Sequence, residues 1–276
     1  MTLVPRREAA EARRILRERH NVKSLLGAPA DNPKLAKSLK MRVYSAPLHL
    51  APASLSGFNV CPMSTAGCRK ACLHTAGNPA YMVGKAKARV ARTEAYFGSR
   101  AAFMVALAAD IEAHAARAKA NRMRCGVRLN ATSDIPWENV PVTVSGRTYP
   151  NLMALFPRVQ FYDYTKRHNR RDLPSNYHLT FSLAEAKWNW PNAFRAFAYG
   201  MNVAAVFSVP RGKPLPATFR LEASPGHPFD WVDVPVIDGD EHDYRPADPR
   251  GVIVGLRAKG KACQDKSGFV QQVEVK

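Results

Sequence analysis

The chain reads as an α/β protein on a parallel sheet, closed or partly open as a barrel. Three features of the text predict this. The second half carries short apolar runs rich in β-branched and aromatic residues, each ending in polar ones: "CGVRLNATSD", "RVQFYDYTKR", "NYHLTFSL", "NVAAVFSV", "VDVPVIDGD" and "GVIVGLRAKG". Segments long enough for a helix or crossover separate them, such as "VSGRTYPNLMALFP" and "SLAEAKWNWPNAFRAFAYG", and strands alternating with crossovers argue for parallel pairing. Before them, Ala, Met, Leu and Phe recur at helical spacing. An open doubly wound sheet is the rival, weakened because no Gly-rich dinucleotide fingerprint follows any strand.

In chain order, "PRREAAEARRILRERHN" is a basic helix, and "GAPADNPKLAKSLKM" is loop-like, broken by Gly27, Pro29 and Pro33. "MRVYSAPLHLAP" is a strand or hairpin arm. A stretch rich in Gly, Pro, Ser and Thr follows and reads as a loop. "AYMVGKAKARVARTEAYF" and "RAAFMVALAADIEAHAARAKANR" are helices that break at "GS". The expected organisation is a basic helix-and-loop extension over 1–40 and one barrel domain over 41–276, carrying a cysteine loop at 61–72.

That loop holds three of the chain's five cysteines, Cys61, Cys68 and Cys72, at C-x6-C-x3-C spacing. The N-terminal segment is charged from Arg6 and has no apolar core of a signal peptide. No run approaches the ~18 apolar residues of a membrane span. The expected compartment is therefore the cytoplasm, where clustered cysteines bind metal or do chemistry more often than they cross-link. Three thiolates can hold three irons of a cubane cluster and leave the fourth open. Zinc is the alternative, with His74 completing a Cys3His set. Cys125 reads as a small buried residue, and Cys263 as a loop cysteine.

In a parallel barrel, chemistry sits at the C-terminal ends of the strands. The polar residues expected there are Asn130, Ser133 and Asp134, then Asp163, Thr165 and Lys166, then Ser182, Ser208, Asp238 and Asp240. Asn130, Asp134, Asp163 and Lys166 are the candidates to line a catalytic site. Lys+Arg number 41 against Asp+Glu 22, a formal charge of +19. Such a surplus attracts nucleic acid or anionic small molecules. Lys85, Arg89 and Arg92, at i, i+4 and i+7, form a candidate anion-binding stripe. "YDYTKRHNRRD" interleaves tyrosines with basic groups, either a stacking platform or a strand followed by a surface turn. "DGDEHDYRPAD" is either a polar turn with an aspartate paired to Arg245 or a hard-cation site. "WNWPNAF" is either a strand-like or a loop platform, with aromatic packing against the barrel as the default. No nucleophile elbow, phosphate loop or zinc-protease helix is present.

Together "NPKLAKS", "SGFNVCPMSTAGCRKACLHTAG", "AKARVARTEAYF", "RLNATSDIPWE", "FYDYTKR" and "GVIVGLRAKGKACQDKSGFV" resemble the phage "gene product 88" family, from about Asn32 to the C-terminus. The resemblance implies a phage-type protein working in the bacterial host. The cysteine loop and following strands are also similar to radical S-adenosylmethionine proteins, which seat a three-cysteine cluster in the loop after the first strand of a TIM-type barrel. That likeness implies a 4Fe-4S cluster, or 3Fe-4S on oxidation, on Cys61, Cys68 and Cys72, with redox or radical chemistry at the open iron. The usual C-x3-C-x2-C is absent, position 75 is Thr, and no Gly-Gly-Glu stretch follows. These departures count against S-adenosylmethionine and leave the cluster. A non-enzymatic nucleic-acid-binding protein braced by an iron–sulfur or zinc site is the alternative function.

Overall fold

The computed structural model describes residues 2–29, 33–72, 83–223, 226–228 and 230–273. The helices are α1 (Arg6–His20), α2 (Pro33–Lys40), α3 (Ala66–Lys70), α4 (Val83–Gly98), α5 (Arg100–Ala120), α6 (Leu152–Leu155) and α7 (Asn189–Ala198). The strands are β1 (Val43–Pro47), β2 (Arg124–Arg128), β3 (Val142–Val144), β4 (Arg147–Tyr149), β5 (Gln160–Thr165), β6 (Tyr177–Ser182), β7 (Asn202–Phe207), β8 (Thr218–Glu222), β9 (Trp231–Asp238), β10 (Ile253–Arg257) and β11 (Val270–Gln271). Contacts divide the chain into two compact units. One comprises Met1–Cys61, Ala80–Asp163 and Asp172–His178, the other Pro62–Pro79, Tyr164–Arg171 and Leu179–Lys276.

In the first unit β1 pairs parallel with β2, and β2 parallel with β5. Helix α1 buries Ala9, Ala12 and Leu16 and packs on α5. Asn21 ends it in the left-handed conformation, φ 53°, donating its backbone N–H to Arg17 O. Asn tolerates that region better than most residues, because its short side chain bonds locally. Asp110 of α5 pairs with Arg13 at 2.8 Å and also accepts from Leu25 N–H. One carboxylate thus ties α1 and the segment after it to α5.

Helix α5 is joined to the sheet through His114, which is 3 % exposed. Its Nε2 lies 2.9 Å from Tyr44 O and 3.2 Å from Gly126 O, and its ring stacks on Tyr44. Both partners are carbonyls, so Nε2 carries the proton and is shared between β1 and β2. Gly126 is required beside it, because a Cβ there would meet Ser45 Oγ.

In the second unit β6, β7 and β10 pair parallel in that order, β10 pairs parallel with β9, and β11 adds to β7. Strand β8 joins β9 antiparallel. The α/β class and the mostly parallel pairing are as the strand rhythm predicts. Asn189, fully buried, accepts from Ala184 N–H at 2.7 Å and fixes the turn from β6 into α7.

Four local expectations are corrected. "NPKLAKSLK" is not loop but contains α2, with Pro33 at the first helical position, where its missing N–H costs nothing. "VSGRTYPNLMALFP" is not one crossover helix but the β3–β4 hairpin followed by the single turn α6, which Asn151 caps through Ala154 N–H. "WNWPNAF" opens the helix α7 rather than a strand or loop, while Trp190 packs as an aromatic should, its ring centre 6.0 Å from that of Phe219. β8 had not been anticipated, its alternation being hidden by charged neighbours. No helix among the described residues is long and apolar enough to cross a membrane.

The burial of His114 lowers its affinity for a proton, although bonds to the Tyr44 and Gly126 carbonyls oppose the shift. A histidine with a depressed folded pKa contributes its full stability above the unfolded value near 6.5. That stability is lost as pH falls, because the unfolded chain binds the proton first. The denaturation midpoint should therefore drop from about pH 6.5 downward. His114→Gln should flatten this slope while costing about 1–2 kcal/mol at pH 8. A slope unchanged in the variant would remove His114 as its source.

Candidate functional site

Ligand sites of parallel α/β sheets form beyond the carboxyl ends of the strands. In the first unit, β2 runs into a loop wound around the side chain of Asn130, 2 % exposed. Asn130 Oδ1 accepts from Ser133 Oγ at 2.8 Å, Ile135 N–H at 3.0 Å and Trp137 Nε1–H at 3.0 Å. Its Nδ2 donates to Ile135 O at 2.8 Å. Its backbone N–H donates to Asp163 Oδ1 at 2.7 Å, and Asp163 Oδ2 accepts from Tyr177 O–H at 2.8 Å. Asp163 lies inside β5, fully buried, rather than after it.

This loop reaches Cys61. Asp134 N–H donates to Val60 O at 2.8 Å, and Cys61 Sγ donates to Thr132 O at 3.7 Å. Thr132 Oγ in turn donates to Leu50 O at 2.6 Å. Asn130, Asp134 and Asp163 thus come together as a hydrogen-bonded frame behind one cysteine.

The second unit holds Cys68 and Cys72. Thr65 caps α3, its Oγ accepting from Cys68 N–H at 3.2 Å. The same hydroxyl donates to Glu185 Oε2 at 2.6 Å, and Glu185 Oε1 accepts from Gly67 N–H at 2.7 Å. One carboxylate just past β6 therefore clamps the start of the helix that bears Cys68. A Cβ at Gly67 would run into Ser267 Oγ and into that carboxylate. Ala71, between the two cysteines, is buried with Ala262 and Val270. Glu185 and Thr65 are absent from the sequence reading. The available signal was Thr65 itself, a residue type favoured at helix N-caps, which says nothing of its distant partner.

Lys166 follows β5 and is 7 % exposed. Its Nζ donates to Ser182 Oγ at 2.8 Å and to Ser182 O at 3.1 Å, and lies 5.6 Å from the Phe269 ring centre. In "YDYTKRHNRRD", Tyr162 is fully buried and Arg170 is 6 % exposed. These side chains belong to the strand and its turn and do not form an exposed stacking platform.

The acidic turn is neutralised from within. Arg257 at the end of β10 bonds both Asp238 oxygens, at 2.9 and 2.8 Å, and Lys259 meets Asp240 at 2.6 Å. Arg245, fully buried, lies 3.2 Å from Asp248. Its aspartate partner is thus three residues on, past the run of acids, and burial raises the Asp248 pKa to about 6 despite the neighbouring Arg245.

Cys61, Cys68 and Cys72 are half-buried. Burial pushes the Cys125 thiol up to about 12, as befits an inert strand residue, and Cys263 is exposed. Among the described residues, no three His, Cys, Asp or Glu side chains stand grouped as a metal set. His74 lies outside the described residues. Along α4, Lys85 is exposed while Arg89 and Arg92 are half-buried. Arg92 Nε donates to Ser24 O at 2.8 Å.

The clamp gives a direct test. Glu185→Ala and Gly67→Ala should each destabilise the fold by about 1–3 kcal/mol, through unmade hydrogen bonds or overpacking. Both should speed alkylation of Cys68 by iodoacetamide, read by peptide mass spectrometry. Unchanged labelling at Cys68 would mean that Glu185 does not hold it.

No curated protein and no solved structure matches the chain significantly. A family model, Gene product 88, matches residues 16–272. That span takes in every strand, the cysteine stretch and both hydrogen-bonded frames behind it, and the chain belongs to the Gene product 88 family.

Proposed function

We propose that the protein binds an iron–sulfur cluster through Cys61, Cys68 and Cys72. The observation that carries this reading is the set of three half-buried cysteines on one short stretch of the chain after β1. Its donor chemistry fits: soft thiolates, small neighbours and backbone N–H groups are what such clusters use. The support is spacing and accessibility, because the three thiols are not grouped in the structure described. When bound by three thiolates, a cluster offers an open iron for a small ligand or for electron transfer. Asn130, Asp134 and Asp163 brace the Cys61 side of the stretch, and Glu185 braces the Cys68 side. Lys166 holds the end of β6 through Ser182.

A closed or partly open barrel, like that of radical S-adenosylmethionine proteins, is part of the same proposal. It draws on the parallel pairing of β1–β2–β5 and of β6–β7–β10 and on the cysteine stretch following β1. The reducing cytoplasm of a bacterial host is the compartment it calls for. Nucleic-acid binding is the second reading, favoured by the +19 formal charge. It predicts affinity for DNA or RNA that falls steeply between roughly 50 and 200 mM salt.

Protein purified without oxygen should be brown and contain iron and acid-labile sulfide. Serine at Cys61, Cys68 or Cys72 should strip most of the iron and lower the melting temperature, since metal binding and folding of such a stretch are coupled. Serine at Cys125 or Cys263 should retain the iron. Colourless protein with one zinc per chain, retained by the Cys→Ser variants at 125 and 263, would replace the cluster by a zinc site.

A further inference from the structure

The first unit contains a cavity of about 410 Å³ where the end of α1 meets α4. It lies within the range of small-molecule pockets. Lys23, Lys87 and Arg92 line it, and no acidic side chain does. Lys87 and Lys23 are exposed, and neither has an ion-pair partner among the described residues. Arg92 is set differently. Its Nε is committed to Ser24 O at 2.8 Å, which orients the guanidinium and leaves its terminal nitrogens for another acceptor. Burial and the neighbouring Arg89 disfavour the charged form of Arg92, with Asp110 opposing them, and an anion in the cavity would add to that support.

The rest of the wall has another character. Gly84, Ala88 and Ala91 lie four and three residues apart along α4, so they share one face of the helix. With Val22 they make a shallow apolar floor free of long side chains. Three cations at one small cavity suit a phosphate or diphosphate group, and a fixed guanidinium suits its paired oxygens. A flat apolar floor beside them suits an aromatic base.

We propose that this cavity is a nucleotide-binding site, with the phosphates taken by Lys23, Lys87 and Arg92 and the base laid on the Ala88–Ala91 face of α4. The site lies in one unit and uses none of the cysteines, so it stands or falls independently of the cluster. It also differs from the stripe read off the sequence. Arg92 is common to both, but Lys23 and Lys87 replace Lys85 and Arg89.

The test uses full-length protein and isothermal titration calorimetry with adenosine diphosphate, inorganic pyrophosphate and a single-stranded oligothymidylate as probes. Adenosine diphosphate should bind at low salt, and more tightly than pyrophosphate by about tenfold, the base adding apolar contact. The double variant Lys23→Glu/Lys87→Glu should weaken it by at least about tenfold. Lys85→Glu, of equal charge change but outside the cavity, should cost less than about twofold. Ala88→Phe, which fills the floor and leaves the charge alone, should abolish nucleotide binding. Circular dichroism would confirm that all the variants fold, each change being at an exposed position. The proposal is overturned by absence of adenosine diphosphate binding, by equal losses from Lys85→Glu and the double variant, or by oligothymidylate binding that adenosine diphosphate cannot displace.

Discussion

One buried amide, the side chain of Asn130, organises the part of the molecule that faces Cys61. Its oxygen takes three donors and its nitrogen a carbonyl, so the loop after β2 is wound around a single side chain. The backbone of the same residue is fastened to the buried carboxylate of Asp163, itself shared with Tyr177. A buried polar network of this kind is rigid only while every member is satisfied. Loss of the Asn130 amide would orphan the indole N–H of Trp137, a hydroxyl and a backbone N–H at once. The placement of Val60, Thr132 and hence Cys61 hangs on that local closure.

The other two cysteines rest on a different support. Helix α3 is five residues long, far below the length at which a helix holds itself together in water. It depends on the Thr65 cap, on the Glu185 clamp, and on Ala71 being buried with Ala262 and Val270. Two of the three anchors arrive from segments more than a hundred residues downstream. The stretch is brief in sequence, but its shape is imposed from far along the chain.

This division explains how much could be read from the text. Strand runs such as "YHLTF" and "VAAVF" announce themselves through β-branched and aromatic residues buried on both faces, and parallel pairing follows from the spacing between them. The polar residues after β2 were legible as a set. Their roles were not. Asn130 and Asp163 look alike on paper, and only the hydrogen bonds show that one is wrapped by the loop and the other fastens it to β5. Glu185 was invisible because nothing local marks a carboxylate whose partners sit near residue 65. The β3–β4 hairpin and α6 were hidden in one segment of crossover length, since composition does not tell a hairpin plus one turn from a helix. The resemblance of the ordered motifs to the Gene product 88 family held over residues 16–272.

Cys125 has a consequence outside any binding site. It sits in β2, between β1 and β5, with its thiol pushed up to about 12 by burial. Only a thiolate attacks electrophiles readily, so at neutral pH this sulfur is silent while the strand is in place. Separation of β2 from its neighbours would return the thiol to an ordinary acidity and make it reactive. Labelling of Cys125, read peptide by peptide, would time the opening of the sheet itself. The strand carries its own reporter of that event, one sulfur that answers only when β2 leaves its neighbours.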